Sequence, residues 1–269
     1  MIALPQPETL ASHVRSYVNT AEHNDAVFNH FTARTWEHSI LAAHRRHVDE
    51  NKLGYGDPAF HDLWFLLLQA AAEKFPTPRC LEIGVFKGQV ISLWALLARE
   101  LNLPLEIHAI TPLAGNPPPP LSLWSRIRYR LDRGYREQVK TGNFYANEDY
   151  EAIVRAHFAH HGLSFDAVNL HRGYSTDPLL LESLATARFE LVYVDGDHRE
   201  AGARHDFATF GAKVVPGGWL VADDAAHDLP GSVFWKGYPE VTSALSELAP
   251  LGFVNVLNVG HNRVFQRIG

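Results

Sequence analysis

The chain has 269 residues, 46% of them hydrophobic and 20% charged, which is enough to bury one large α/β core with an appendage. A net charge of −6 gives no whole-molecule attraction to nucleic acid or to an acidic membrane, so neither is expected as a partner. With a single cysteine, Cys80, no intrachain disulfide can form, and Cys80 reads as a core residue. The N-terminus lacks a basic stretch followed by an apolar one, and no apolar run approaches the ~20 residues of a membrane span, so the expected location is cytoplasmic.

In chain order, residues 8 to 50 read as helix, with apolar positions recurring at three and four (Val14, Val18, Ala21; Ile40, Leu41, Val48). His38, His44 and His47 fall near helical spacing there. Without a cysteine or carboxylate at zinc-site spacing, they read as a solvated helix face. A turn at Gly54–Pro58 ends this N-terminal helical extension, taken as residues 1–58, and the remaining domain is residues 59–269. It opens with a strongly apolar helix over Ala59–Phe75, stopped by Pro76 and Pro78.

Arg79–Ile83 is a predicted strand, followed by the turn Gly84-Val-Phe-Lys-Gly88 and a helix from Gln89 to Leu101. A glycine-bearing strand-to-helix turn lets the backbone approach a ligand closely and aims a helix N-terminus at it. The next strand, Leu105–Ile110, ends at Thr111. A polyproline stretch, Gly115–Pro120, leads to the segment 121–140, where six Arg or Lys alternate with aromatic and aliphatic residues. That segment reads either as a solvated basic surface or as a docking face for an anionic group. Another helix follows through residue 156.

Strands are expected at Asp166–Leu170, at Phe189–Val194 and up to Asp223, with helices at Asp177–Ala187, Arg199–Val215 and Tyr238–Leu248. Pro216-Gly217-Gly218 should turn the chain into the fifth strand. The strands Phe253–Asn258 and Arg263–Ile268 flank Gly260-His261-Asn262 as a closing hairpin. Strand–helix units ending in a hairpin make a doubly wound, seven-stranded Rossmann-like sheet.

Two stretches carry the chemistry. Leu-Val-Tyr-Val-Asp-Gly-Asp-His (191–198) and Gly-Gly-Trp-Leu-Val-Ala-Asp-Asp (217–224) are apolar runs that stop at carboxylates, as buried parallel strands do where they open into a crevice. Adjacent strands would crowd Asp195, Asp197, Asp223 and Asp224 together, where ionised carboxylates need a cation or a retained proton. Asp223 and Asp224 could instead cap a following helix. Asp206 reads as a surface or capping carboxylate, and His227 as an exposed loop residue.

These motifs resemble the class I S-adenosylmethionine-dependent methyltransferases. Leu81-Glu-Ile-Gly-Val-Phe-Lys-Gly88 looks like their first motif and Pro216-Gly-Gly218 like the turn before strand five. More narrowly, Val194-Asp-Gly-Asp-His198, Asp206 and Asp223-Asp224 in this order are similar to the metal-dependent, macrocin-type sugar O-methyltransferases. The resemblance spans residues 79–269. It implies that Glu82, Gly84 and Gly88, with the intervening Val85, Phe86 and Lys87, line the S-adenosylmethionine site together with Asp195. It further implies that Asp195, Asp223 and Asp224 hold Mg²⁺ or another divalent cation, and that Asp197 or His198 takes the proton from the acceptor hydroxyl. The acid that usually accepts the ribose hydroxyls is replaced by Thr111, and Ser175 or a backbone group is expected to compensate.

The implied partner is a small-molecule acceptor, glycosylated or anionic, and amphipathic N-terminal helices point to a homo-oligomer. Two alternatives remain at this level. A metal-dependent phosphohydrolase could use Asp-x-Asp as nucleophile and acid, and a non-catalytic binding module could use the same fold.

Overall fold

The structure is a computed structural model describing residues 8–114, 122–132, 135–136 and 148–269. The polyproline stretch and most of the basic segment after Leu131 lie outside the described residues. The described elements are α1 (Leu10–Ser16), α2 (Ala21–Glu37), α3 (Ser39–Asn51), α4 (Ala59–Lys74), β1 (Arg79–Ile83), α5 (Gln89–Glu100), β2 (Glu106–Thr111), α6 (Leu123–Leu131), α7 (Tyr150–His160), β3 (Asn169–Arg172), α8 (Pro178–Ser183), β4 (Phe189–Val194), α9 (Glu200–Gly211), β5 (Val214–Ala222), α10 (Pro239–Ala244), β6 (Phe253–Val259) and β7 (Asn262–Arg267).

Seven strands form one sheet in the order β3-β2-β1-β4-β5-β7-β6. The first five pair in parallel and β7 is antiparallel to both β5 and β6. Strand order reverses between β1 and β4, so the carboxyl ends of these two strands open a crevice. The central strands are buried on both faces, and their alternation divides the core. Cys80, Leu191 and Tyr193 join the cluster of Leu63, Trp64 and Trp94, whereas Leu81, Val192 and Val194 join that of Phe207, Phe210 and Val241. Cys80 is thus a packing residue.

The N-terminal helices are not one helix. Thr20 caps α2 by accepting from the His23 amide, and His38 adopts an extended conformation that separates α2 from α3. Leu10, Val27, Phe31 and Leu41 enter the same core cluster as α4 and the sheet. Among the described residues, no helix is long and apolar enough to cross a membrane.

Four boundaries differ from expectation. The strand expected at Asp166–Leu170 is β3 at Asn169–Arg172, because Phe165–Ala167 forms a 3₁₀ turn first. Helix α8 stops at Ser183, four residues early. Helix α9 ends at Gly211, so Pro216-Gly217-Gly218 lies within β5 rather than before it. There the pairing with β4 shifts register between Phe189 and Leu191, a bulge that Gly217 absorbs with φ 78°. After α10 the chain continues as two 3₁₀ turns, Leu245–Glu247 and Ala249–Leu251, instead of a longer α-helix.

Candidate active site

The register of the sheet assembles the site. The Asp195 amide donates to the Ile83 carbonyl at 2.9 Å, and the Asp223 amide donates to the Val194 carbonyl at 3.0 Å. Each aspartate is therefore the first residue beyond its strand, and the Val194–Ala222 pairing sets them side by side. Asp224 follows with φ 54°, and its carbonyl accepts from the Tyr238 amide at 2.9 Å. This left-handed turn is not a helix cap, since the next helix, α10, starts only at Pro239.

Two histidines complete the cluster. His198 Nε2 lies 3.1 Å from Asp224 and 3.8 Å from Asp195, and its ring stacks on Tyr238 at 4.6 Å. His261 Nε2 lies 3.5 Å from Asp223 and 3.6 Å from Asp224. His261 comes from the β6–β7 hairpin, which sequence reasoning took only as a turn. The available signal was topological: a strand antiparallel to β5 must start beside the end of β5, and Ala222 pairs with Arg263.

Burial, then mutual repulsion, dominates the electrostatics. Desolvation raises Asp195 to about 7, with the Asp223 and Tyr193 side chains partly offsetting it. Desolvation and then the Asp195 charge push Asp223 up to about 7, and desolvation followed by both neighbours pushes Asp224 up to about 10. Burial holds His198 and His261 below the usual imidazole range, against the pull of Asp223. Asp223 Oδ1, both ring nitrogens of His198 and His261 Nδ1 are buried without a hydrogen-bond partner. Convergent carboxylates with unsatisfied donor atoms suit a hard divalent cation, so these residues fit one.

The glycine turn faces this cluster. Gly84 has φ 96°, and a Cβ there would come 1.8 Å from the Asp195 carbonyl oxygen, so only glycine allows the turn to approach β4 this closely. Phe86 also has positive φ and stacks on Tyr55 at 5.3 Å. Val85 is buried, and Lys87 is turned away to Glu148 at 2.7 Å. Gly88, at φ 87°, precedes α5 and packs against Val154. Glu82 is buried with Oε2 unpaired, and desolvation, followed by Asp195, pushes it well above the carboxylate range. A cavity of about 1110 Å³ runs between turn and cluster, lined among others by Glu82, Gly84, Phe86, Asp195, Asp223 and His261.

Thr111 and Ser175 also line this cavity. The Thr111 hydroxyl accepts from the Leu113 amide at 3.1 Å. The Ser175 carbonyl accepts from His205 at 3.1 Å. Asp206 is a correction to the sequence reading. It is 1% exposed, packs beneath Gly196 and is raised to about 6 by desolvation, because α9 folds back under the β4 loop. Asp197 separates from the other aspartates: its carboxylate bonds the Arg199 amide and guanidinium. His227 is exposed, as expected, with its amide bonded to the Thr242 hydroxyl.

The N-terminal helices reach the far rim. Leu53–Gly56 line the cavity. Asp25 on α2 accepts from the Ser232 amide at 2.7 Å, the Ser232 hydroxyl at 2.9 Å and the Val233 amide at 3.2 Å, tying down the loop before Trp235.

Residues 81–225 match the family described as Methyltransferase domain. The chain belongs to that family. Its sheet is the class I, S-adenosylmethionine-dependent methyltransferase fold, which similar solved structures share at low identity. The O-methyltransferase NovP is 15% identical, with a TM-score of 0.56 over 79% of this chain and 81% of that one. A putative O-methyltransferase from Klebsiella pneumoniae is 15% identical, with a TM-score of 0.53 over 92% and 98%. The SAH-bound methyltransferase PaMTH1 of Podospora anserina is 16% identical, with a TM-score of 0.51 over 91% and 97%. No curated protein sequence matches the chain.

Proposed function

We propose that this methyltransferase transfers the methyl group of S-adenosylmethionine to a hydroxyl of a sugar or other small natural product, assisted by a divalent cation. The observation that carries the reading is the single cavity joining the glycine turn to the acid cluster, with Glu82 and Asp195 between them. In support, the names of NovP and the Klebsiella protein describe O-methyltransferases.

Glu82 is the group available to an ammonium: a buried carboxylate with an unpaired oxygen gains most from a cationic partner. Gly84 and Gly88 bring the backbone and the N-terminus of α5 to the cofactor. The bound sulfonium supplies an electrophilic methyl group. Asp195, Asp223 and Asp224 would hold the cation, with His261 beside them, and its charge would make the acceptor hydroxyl easier to deprotonate. His198, neutral through burial and facing the cavity beside Asp224, is placed to take that proton. Asp197, engaged by Arg199, orients the start of α9 instead. The same engagement counts against a phosphohydrolase, which needs both acids of Asp-x-Asp at one reacting centre.

The test is conversion of S-adenosylmethionine to S-adenosylhomocysteine with a panel of glycosides and phenols, before and after chelation. The proposal expects turnover to vanish with chelator and return with Mg²⁺. It also expects His198→Ala to lose about 100-fold or more, the scale of a general base. Turnover indifferent to chelator would remove the cation from the reading, and failure to bind S-adenosylmethionine would remove the reading altogether.

A further inference from the structure

A second polar cluster lies between α3 and α7, apart from the acid cluster. His44 and His47 stand three residues apart on α3, and His157 and His160 three apart on α7, with His161 next in the chain. Residues at that spacing share a helix face. His44, His157 and His161 have ring nitrogens within 4.8 Å of one another, and so have His47, His160 and His161. His161 is common to both triads. The rings pack tightly, with His47 and His160 parallel at a centroid distance of 3.6 Å and His44 stacked on His161 at 4.9 Å.

The polar atoms of this cluster are poorly served. Ser92 is shared by His44 Nε2 at 3.0 Å and His157 Nε2 at 3.3 Å. Its own proton goes to the Gln89 carbonyl at 3.1 Å, so its oxygen meets both rings as an acceptor and leaves their other nitrogens with the lone pair. His44 Nδ1 meets only another imidazole, His61, at 3.0 Å. His161 Nε2 and His61 Nδ1 are buried without a hydrogen-bond partner. Unpaired buried polar atoms call for a partner, here one that accepts lone pairs.

We propose that His47, His160 and His161, backed by His44 and His157, form a binding site for one transition-metal cation of the zinc type, distinct from the acid cluster. An all-imidazole donor set selects zinc, nickel or copper over magnesium, the reverse of the preference at the carboxylates. The lone pairs are free at neutral pH: desolvation, then His161, pulls His157 down to about 3, and desolvation, then His160, pulls His161 to about 4. Two charges modify the site. Glu50 lies near His47 and favours a cation there, while Arg99, whose guanidinium donates to the His161 carbonyl at 2.6 Å and pairs with Glu100, opposes it. An ion held here would fasten the N-terminal helices to α7.

The inference is independent of the acceptor or the reaction. Its test uses the full, untagged chain with Asp223→Asn and Asp224→Asn, which weaken the competing carboxylate site, stripped with chelator and checked for folding by circular dichroism. Calorimetric titration with zinc is expected to show one equivalent bound, and magnesium none. Cobalt(II) is expected to give visible d–d absorption of a nitrogen-ligated ion. His161→Gln in this background should weaken zinc binding at least tenfold. His47→Gln, at a position that is only partly buried, should do the same without threatening the core. Absence of zinc binding, or affinity unchanged in His47→Gln, would overturn the proposal.

Discussion

Three aspartates meet two histidines where strands of the sheet end, and five histidines meet where α3 packs on α7. Both groupings have buried members, yet these answer burial in opposite ways. At the sheet edge desolvation drives protons onto the aspartates, whereas between the helices it drives protons off the imidazoles. The sheet edge is thereby suited to a hard ion and to chemistry on a ligand. The helix interface is suited to a borderline ion and to holding elements together. The lesson is that burial alone does not mark a reaction centre; the open cavity beside the aspartates does.

The largest expected effect separates the two groupings by turnover. Asp223→Asn should lower methyl transfer by about 100-fold or more, as removal of a metal ligand or its orienting partner does. A drop smaller than about threefold would deny the acid cluster its role. Next comes the link between the cluster and the glycine turn. Gly84→Ala would drive a Cβ onto the Asp195 carbonyl at positive φ and is expected to cost about 2–4 kcal/mol of stability, read from the urea midpoint.

The pH dependence of the metal-free protein sharpens the contrast further. Asp195 and Asp223 are raised from near 4 to about 7, so the folded state holds more protons in that window and stability falls as pH rises through it. His157 is lowered from 6.5 to about 3, so the unfolded state holds more protons and stability falls as pH drops below 6.5. The two trends oppose each other between about pH 4 and 6.5, each group contributing at most about 1.4 kcal/mol per pH unit. Melting temperatures across this range should therefore rise more steeply with pH in Asp223→Asn and less steeply in His157→Gln. Parallel shifts in both variants would show that the groupings do not titrate oppositely.

The smallest effect concerns the ribose end of the cavity. Thr111→Asp is expected to tighten S-adenosylmethionine binding by up to about tenfold in calorimetry, the worth of one charge-assisted hydrogen bond. Unchanged or weaker binding would mean that the β2 end does not meet the ribose.

How legible each region was in the sequence follows from how its residues are brought together. Asp195, Asp223 and Asp224 each stand at the end of an apolar run, and strand pairing needs only that β4 and β5 be neighbours to unite them. The glycine turn was equally local. His261 was missed because its proximity depends on which strand the closing hairpin joins. The solvated reading of His44 is corrected by its complete burial, for its partners arrive from α7, more than a hundred residues later. Asp206 shows the same limit: helical periodicity places a carboxylate on a face but does not tell which loop lies beneath it. Asp197 shows another, since the same Asp-x-Asp can send its side chains to one site or two.

The three hydrogen bonds from Ser232 and Val233 to Asp25 give the helical preface a hold on the mouth of the pocket. A shift of α2 by even a fraction of an ångström would be passed to Trp235 and Tyr238 without altering any residue that lines the cavity. Substitutions within residues 8–51 can therefore reshape the mouth of the cavity although none of these residues lines it.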